Sequence, residues 1–210
     1  MTARASDGRV PGRRGQATRQ RLLECTLAML DTASYRDLKV VDIAREAGTS
    51  PATFYQYFTD VDAAIAELAG DMAADGATRL GGLLEGTRWS GEDAEASVRM
   101  LVTGFLDFWD ANRPLMRVID LKAAEGEGRI RSTRKDLLAG FSNGLAECVQ
   151  HKSLADAPAN PWAMASVAVT MLVNVAIQRE IFAASEIPDE DMIDAVARLL
   201  LAAVTGTTTG

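Results

Sequence analysis

Histidine and cysteine are nearly missing from this chain, and their scarcity removes whole classes of chemistry. Its 210 residues include one histidine, His151, and two cysteines, Cys25 and Cys148. With a single histidine and no C-x-x-C pair, a metal site of His and Cys is not expected. A histidine relay lacks its parts, and a di-iron site would need a second Glu-x-x-His pair. Cys25 and Cys148 fall in apolar helical patterns, so they read as small buried hydrophobes of a reducing compartment rather than a disulfide framework. Proline is also scarce, at 6 residues, while Ala and Leu are plentiful, which favours helix. There is no Walker loop, dinucleotide fingerprint or nucleophile elbow. No cofactor and no enzymatic activity are therefore expected. Glu92, Asp93 and Glu95 read as a helix N-terminus rather than an acid–base pair.

A membrane-length run is missing too. The longest apolar stretch, "WAMASVAVTMLVNVAI" at 162–177, is shorter than a span and carries Ser166, Thr170 and Asn174. It reads as a buried helix. The N-terminus is arginine-rich but lacks the apolar core of a signal peptide, so a cytoplasmic location is expected.

What is present is an uneven distribution of charge. The net charge is −7. Residues 1–21 nevertheless carry six arginines (4, 9, 13, 14, 19 and 21) against Asp7 alone. Residues 61–210 carry 13 basic and 22 acidic residues. A basic head on an acidic body suits a polyanion-binding end, although a flexible polar tail has the same composition.

Along the chain, 1–15 lacks periodicity and reads as a disordered basic arm. Thr18 is placed to cap a first helix through Leu22, Leu23, Thr26, Leu27 and Leu30. A second helix, through Val40, Val41, Ile43, Ala44 and Ala47, stops at Gly48, which supplies the left-handed conformation of a tight turn. Ser50 and Pro51 then form a cap-plus-proline start for a third short helix ending near Tyr57. Thr59-Asp60 caps a fourth helix running toward Leu84. Further helices are expected through Met100–Trp109, from Asn112 and Pro114 to Ala124, from Arg129 to His151, from Pro161 to Ala184 and from Pro188 to Val204. The loop "SLADAPAN" and the tail "GTTTG" complete the chain. The expectation is an all-α protein of about nine helices.

Two short helices joined by a glycine turn, behind a longer helix, make a helix-turn-helix whose second helix enters the DNA major groove. Phe54 and Phe58 lie four apart and should pack inward. Thr53, Tyr55, Gln56 and Tyr57 then face outward, where hydroxyls can bond phosphates and Gln56 can bond adenine. Arg13, Arg14 and Arg19 are placed to neutralise phosphates or enter a minor groove. A plain solvated face is the competing reading.

"TRQRLLECTLAMLD", "VVDIAREAGTSPATFYQYF" and "TDVDAAIAEL" resemble the DNA-binding domain of the TetR family of transcriptional regulators, with its core pattern matched from Ile43 to Phe58. The resemblance implies a helix-turn-helix domain over 16–60 and a helical ligand-binding and dimerisation domain over 61–205. It implies DNA contacts from Ser50, Pro51, Thr53, Tyr55, Gln56 and Tyr57. Three positions depart from the family pattern. Lys39 stands where Ser or Thr usually opens the second helix; it can still meet a phosphate, with Asp37 left to cap. Val41 replaces a frequent polar residue. Val61 replaces a frequent lysine. The N-terminal arginines should therefore carry more of the electrostatic attraction.

The implied function is a ligand-responsive homodimeric regulator, a repressor by family habit, that binds a palindromic operator and is released by a small apolar effector. A helical carrier or adaptor that never touches DNA is the alternative. The family implies a dimer formed by the last two helices and a pocket in the back domain. For that pocket the residues to examine are Phe105, Trp109, Met116, Phe141, Met164, Met171, Asn174 and Gln178, a set suited to large apolar ligands with an amide to orient them. "RIRSTRK", residues 129–135, is a basic cluster that either meets an anion or is a solvated helix start. Glycines 70, 76, 81 and 82 in the fourth helix suggest a soft segment.

Overall fold

The computed structural model describes residues 12–126, 128–152 and 160–206. Most of the basic arm, most of the 153–160 loop and the last four residues lie outside the described residues, as do the side chains of Arg129 and Arg131. Every regular element among the described residues is helical. In chain order these are α1 (Arg13–Thr32), a 3-10 turn (Tyr35–Asp37), α2 (Val40–Glu46), α3 (Pro51–Tyr57), α4 (Val61–Glu85), α5 (Ala94–Ala111), α6 (Arg113–Ala124), α7 (Gly128–Lys152), α8 (Pro161–Ala184) and α9 (Asp189–Thr205).

Local chemistry explains most of the boundaries. Ser50 accepts a hydrogen bond from the Thr53 N–H at 3.2 Å, Asp60 one from the Ala63 N–H at 2.7 Å, and Asn160 one from the Ala163 N–H at 3.1 Å. Each satisfies a donor that a helix start leaves without an intrahelical partner. Two expected caps are corrected. Helix α1 already begins at Arg13, and Thr18 sits inside it, its hydroxyl donating to the Arg14 carbonyl at 3.1 Å. Asn112 closes α5 instead of opening α6, donating to the Phe108 carbonyl at 2.8 Å.

The chain divides into two compact units, one of residues 1–72 with 113–133, the other of 73–112 with 134–210. In the first, Leu22, Leu23, Leu30, Ile43, Ala44, Ala47, Phe54, Phe58 and Ile65 form a buried core. Helix α6 packs on α1 and contributes Leu115, Met116, Val118 and Ile119 to this burial. Helix α6 belongs to the 61–205 domain of the sequence reading, and its contacts with the DNA-reading helices are made with α1.

In the second unit α5 packs on α8 and α9. Arg179 on α8 bonds both Asp110 on α5 and Asp189 at the start of α9. On α5, Arg99 pairs with Asp194 and Glu95 with Arg198. Gly76 meets two different helices here: a Cβ at that point would lie 2.4 Å from both Leu137 on α7 and Phe108 on α5. A side chain at 76 would therefore have to displace Leu137 and Phe108, so packing gives this glycine a role besides helix softness. At Gly70, Gly81 and Gly82 the space is open.

Helix α8 differs from its expected burial. One side packs through Ala165, Ala168, Val169, Leu172, Val173 and Ala176. Trp162, Val167, Ile177 and Ile181 are exposed, as are Ser166, Thr170, Asn174 and Gln178. Helix α8 is long and apolar enough to cross a membrane by length and composition, yet four polar side chains share its exposed surface with the apolar ones. Both cysteines are half-buried, without a disulfide.

Candidate nucleic-acid interface

Helices α2 and α3 meet at a turn in which Gly48 has φ +66°, a conformation that costs most other residues a Cβ clash. The Thr49 N–H donates to the Ala44 carbonyl at 2.8 Å, which holds the end of α2 closed. The third helix is only seven residues long, too short to persist alone. It is held by its cap and by Phe54 and Phe58, whose rings lie 5.4 Å apart over the core. The Ser50 and Thr53 hydroxyls, 3.0 Å apart, share a hydrogen bond, so the first turn presents a pre-ordered pair of oxygens.

The remaining side chains of α3 stay outside. Tyr55 is 53% exposed, with its ring edge-on to Phe54. Pro51 and Gln56 are exposed, while Thr53 and Tyr57 are half-buried. Lys39, Arg13 and Arg14 are also exposed. Lys39 is itself the residue preceding α2 and makes no side-chain cap, while Asp37, expected to cap, lies in the preceding 3-10 turn. Val41 is exposed, an apolar side chain at the start of α2.

Arg19 is placed elsewhere than expected. Its guanidinium bonds Glu67 of α4 and lies 5.1 Å from the centroid of the Phe58 ring, with the side chain only 13% exposed. It joins α1 to α4 and braces the end of α3. Its charge is already engaged by a carboxylate and a ring, so it drops out of the phosphate-binding set.

Sequence models of known families match both parts of the chain. One described as tetR family bacterial regulatory proteins covers residues 22–69, and a tetracyclin repressor-like C-terminal domain covers 80–209. The chain belongs to the TetR family. Membership makes it a helix-turn-helix regulator of transcription, in a family of regulators rather than enzymes. An uncharacterized HTH-type transcriptional regulator of Haemophilus influenzae is 24% identical over 138 residues, 65% of this chain. The match spans 65% of that relative's length. A solved TetR-family structure from Mesorhizobium loti superposes with a TM-score of 0.70 at 17% identity, covering 93% of this chain and 98% of that one. The fatty acid degradation regulator FadR from Bacillus halodurans superposes with a TM-score of 0.64 at 16% identity, covering 92% and 97%. At such identity these likenesses speak for the fold.

The effector residues expected of a TetR-family protein do not all come together. Phe105, Trp109 and Phe141 form one buried cluster in the second unit, with Phe105 stacked on Trp109 at 6.0 Å and 5.3 Å from Phe141. Met164 and Met171 are half-buried on α8. Met116 is buried in the first unit instead. Asn174 and Gln178 are exposed and bond each other at 3.3 Å along α8, so the amide expected to orient a buried ligand lies on the outer surface. The 3.6-residue period shows which residues share a face, but not whether that face is covered by the same chain. In the basic cluster, Arg134 is half-buried and Lys135 exposed.

One constellation escaped the sequence reading. Lys122 on α6 is 5% exposed. Its ammonium lies 2.9 Å from the Asp62 carboxylate and 4.7 Å from the centroid of the Tyr35 ring, while the Tyr35 hydroxyl donates to Asp62. Burial, then the hydrogen bond to Asp62, push the Tyr35 hydroxyl above its usual range. Burial alone would raise Asp62, but the bonds from Tyr35 and Lys122 outweigh it and hold that carboxyl below its ordinary value. The available signal was a lone lysine among the apolar positions of α6, since a buried cation requires a partner.

Proposed function

We propose that this TetR-family chain acts as a cytoplasmic homodimer that represses transcription from a palindromic operator and releases it when a small apolar effector binds. The observation that carries the reading is the division of α3. Phe54 and Phe58 are buried, while the capped first turn and Tyr55, Gln56 and the half-buried Tyr57 border the outside. Ser50, Thr53, Tyr55 and Tyr57 serve phosphates and Gln56 serves a base edge. Pro51 lies at the start of the same helix, and Lys39, Arg13 and Arg14 add charge around it.

The dimer is supported by the exposed apolar surfaces of α8 and α9. Trp162, Val167, Ile177 and Ile181 on α8 and Leu199 on α9 are exposed large apolar side chains, which a two-fold partner would cover. Two-fold pairing also supplies the two reading heads that a palindrome needs. Asn174 and Gln178 belong to that surface in this reading. For the effector, Phe105, Trp109 and Phe141 with Met164 and Met171 remain the proposed apolar lining.

Selection of bound duplexes from a random pool with the full chain tests the reading. A recovered inverted repeat with half-sites about 10 base pairs apart, or a multiple, is expected. Recovery of no enriched sequence, together with salt-independent retention, would favour a carrier that does not bind DNA. Deleting residues 1–14 should weaken operator binding and lower the salt slope by about 0.9 for each phosphate that the arm no longer neutralises. Affinity unchanged at two salt concentrations refutes the role of the arm.

A further inference from the structure

Arg19 is displaced from the expected phosphate contacts, and its partners all lie within the first unit. Its guanidinium pairs with Glu67 on α4 and sits over the ring of Phe58, the residue that closes α3. Both members of the ion pair are mostly covered, with side chains 13% and 26% exposed. The Arg19 Nε–H is buried and has no hydrogen-bond partner among the described residues. A covered pair with an unanswered donor is a poor source of stability. Desolvation offsets much of the attraction, and an apolar replacement of similar volume often serves as well. What such a pair can supply is registry, a fixed placement of the elements it joins.

Three elements meet at this point. On α1, Arg19 lies three and four residues before Leu22 and Leu23, both in the core. Close backbone approach joins α1 to α2, α3 and α6, and the Arg19 side chain makes the reach to α4. Helix α3 is held at its start by the Ser50 cap. Its end is held by Phe58, which is buried with its ring 5.4 Å from that of Phe54. Gln56 and Tyr57 immediately precede Phe58. A shift at this end of the helix therefore moves them more than Ser50 or Pro51, and side chains that read a ligand tolerate little misplacement.

We propose that Arg19 and Glu67 are positioning residues for sequence reading. The pair holds the C-terminal half of α3, and so places Gln56 and Tyr57 against the duplex, without itself touching DNA. The inference rests on α3 being the helix that reads DNA. It carries a sign that simple electrostatics opposes. Removing an acid from a DNA-binding unit strengthens its attraction to the polyanion or leaves it unchanged. Glu67→Gln should instead weaken binding to the chosen sequence, because Arg19 loses the carboxylate that fixes it over Phe58.

The test uses the full chain and the duplex that the wild type selects from a random pool, with a scrambled duplex of equal length as control. Fluorescence anisotropy at several salt concentrations compares wild type, Arg19→Gln, Glu67→Gln and the double variant. Each single variant should lose at least about tenfold in affinity for the selected duplex and change by less than about twofold on the scrambled one. The double variant should lose no more than the worse single, because the two residues act as one unit. The salt slope of Arg19→Gln on the scrambled duplex should equal that of wild type, whereas a lost phosphate contact would lower it by about 0.9. Should Arg19→Gln not melt cooperatively, Arg19→Met, which keeps an apolar stem over Phe58, replaces it under the same criteria. Binding by Glu67→Gln as tight as wild type or tighter, a lowered salt slope, equal losses on both duplexes, or additive losses in the double variant overturns the proposal. Hydrogen exchange supplies a readout that needs no DNA. Amides of α3 should exchange at least about fivefold faster in Glu67→Gln while those of α9 keep their wild-type rates; unchanged exchange in α3 also overturns the proposal. If the wild type selects no duplex, the sequence-reading function fails, and exchange alone decides whether the pair holds α3.

Discussion

Ser50 illustrates how much one hydroxyl decides. It satisfies a donor at the start of a seven-residue helix and stands beside the Thr53 hydroxyl at 3.0 Å. Ser50→Ala should lower unfolding free energy by about 1 kcal/mol, and Ser50→Gly by only a few tenths; urea titration separates the two. Both should weaken operator binding, because the same oxygen is proposed to meet a phosphate. Asp62 gives a prediction in pH. Its folded pKa lies below the ordinary 3.8. Its contribution is therefore present above the unfolded value and is lost only as pH falls through the lower, folded value. Asp62→Asn should remove this part of the acid transition, and with it a steep stretch of the stability–pH curve below about pH 4. A curve unchanged by the substitution would dismiss the Tyr35–Asp62–Lys122 cluster as a stabilising feature.

Helix α4 holds four glycines with different reasons for being there. Gly76 lies against Leu137 and Phe108, both buried, so Gly76→Ala should destabilise by about 1–3 kcal/mol through overpacking. Gly81 faces open space, so Gly81→Ala should stabilise by up to about 1 kcal/mol through helix propensity alone. Opposite signs in thermal or urea unfolding are the expected outcome; equal signs would contradict the packing geometry. The sequence shows four glycines and suggests softness, because propensity is a local property. Which glycine touches a neighbouring helix depends on segments far apart in the chain. Caps behave the other way: Ser50, Asp60 and Asn160 are legible from the chain because a cap and its donor lie three residues apart. Asn112 misled for a related reason, since the same amide can serve the helix before it or the one after.

For the molecule as a whole, the proposed dimer rests on the exposed apolar residues of α8 and α9. Val167 is 68% exposed and Leu199 59% exposed, which is costly for apolar side chains if nothing covers them. Val167→Glu with Leu199→Glu should yield a monomer in analytical ultracentrifugation. Loss of cooperative operator binding should follow, since one head alone loses the second half-site. A dimer that survives both substitutions would place the interface elsewhere.

The chain alone determined the reading head, because its signals are local: a glycine for a left-handed turn, a serine and proline for a helix start, and two phenylalanines four residues apart. Net helicity followed from composition in the same way. Tertiary structure decided what lies against what. It moved Arg19 from the proposed DNA contacts to Glu67 and Phe58, carried α6 onto α1, turned Asn174 outward and buried Lys122 beside Asp62. The physical reason is that periodicity along a helix identifies a face, whereas burial and charge pairing depend on which distant segment arrives to cover it.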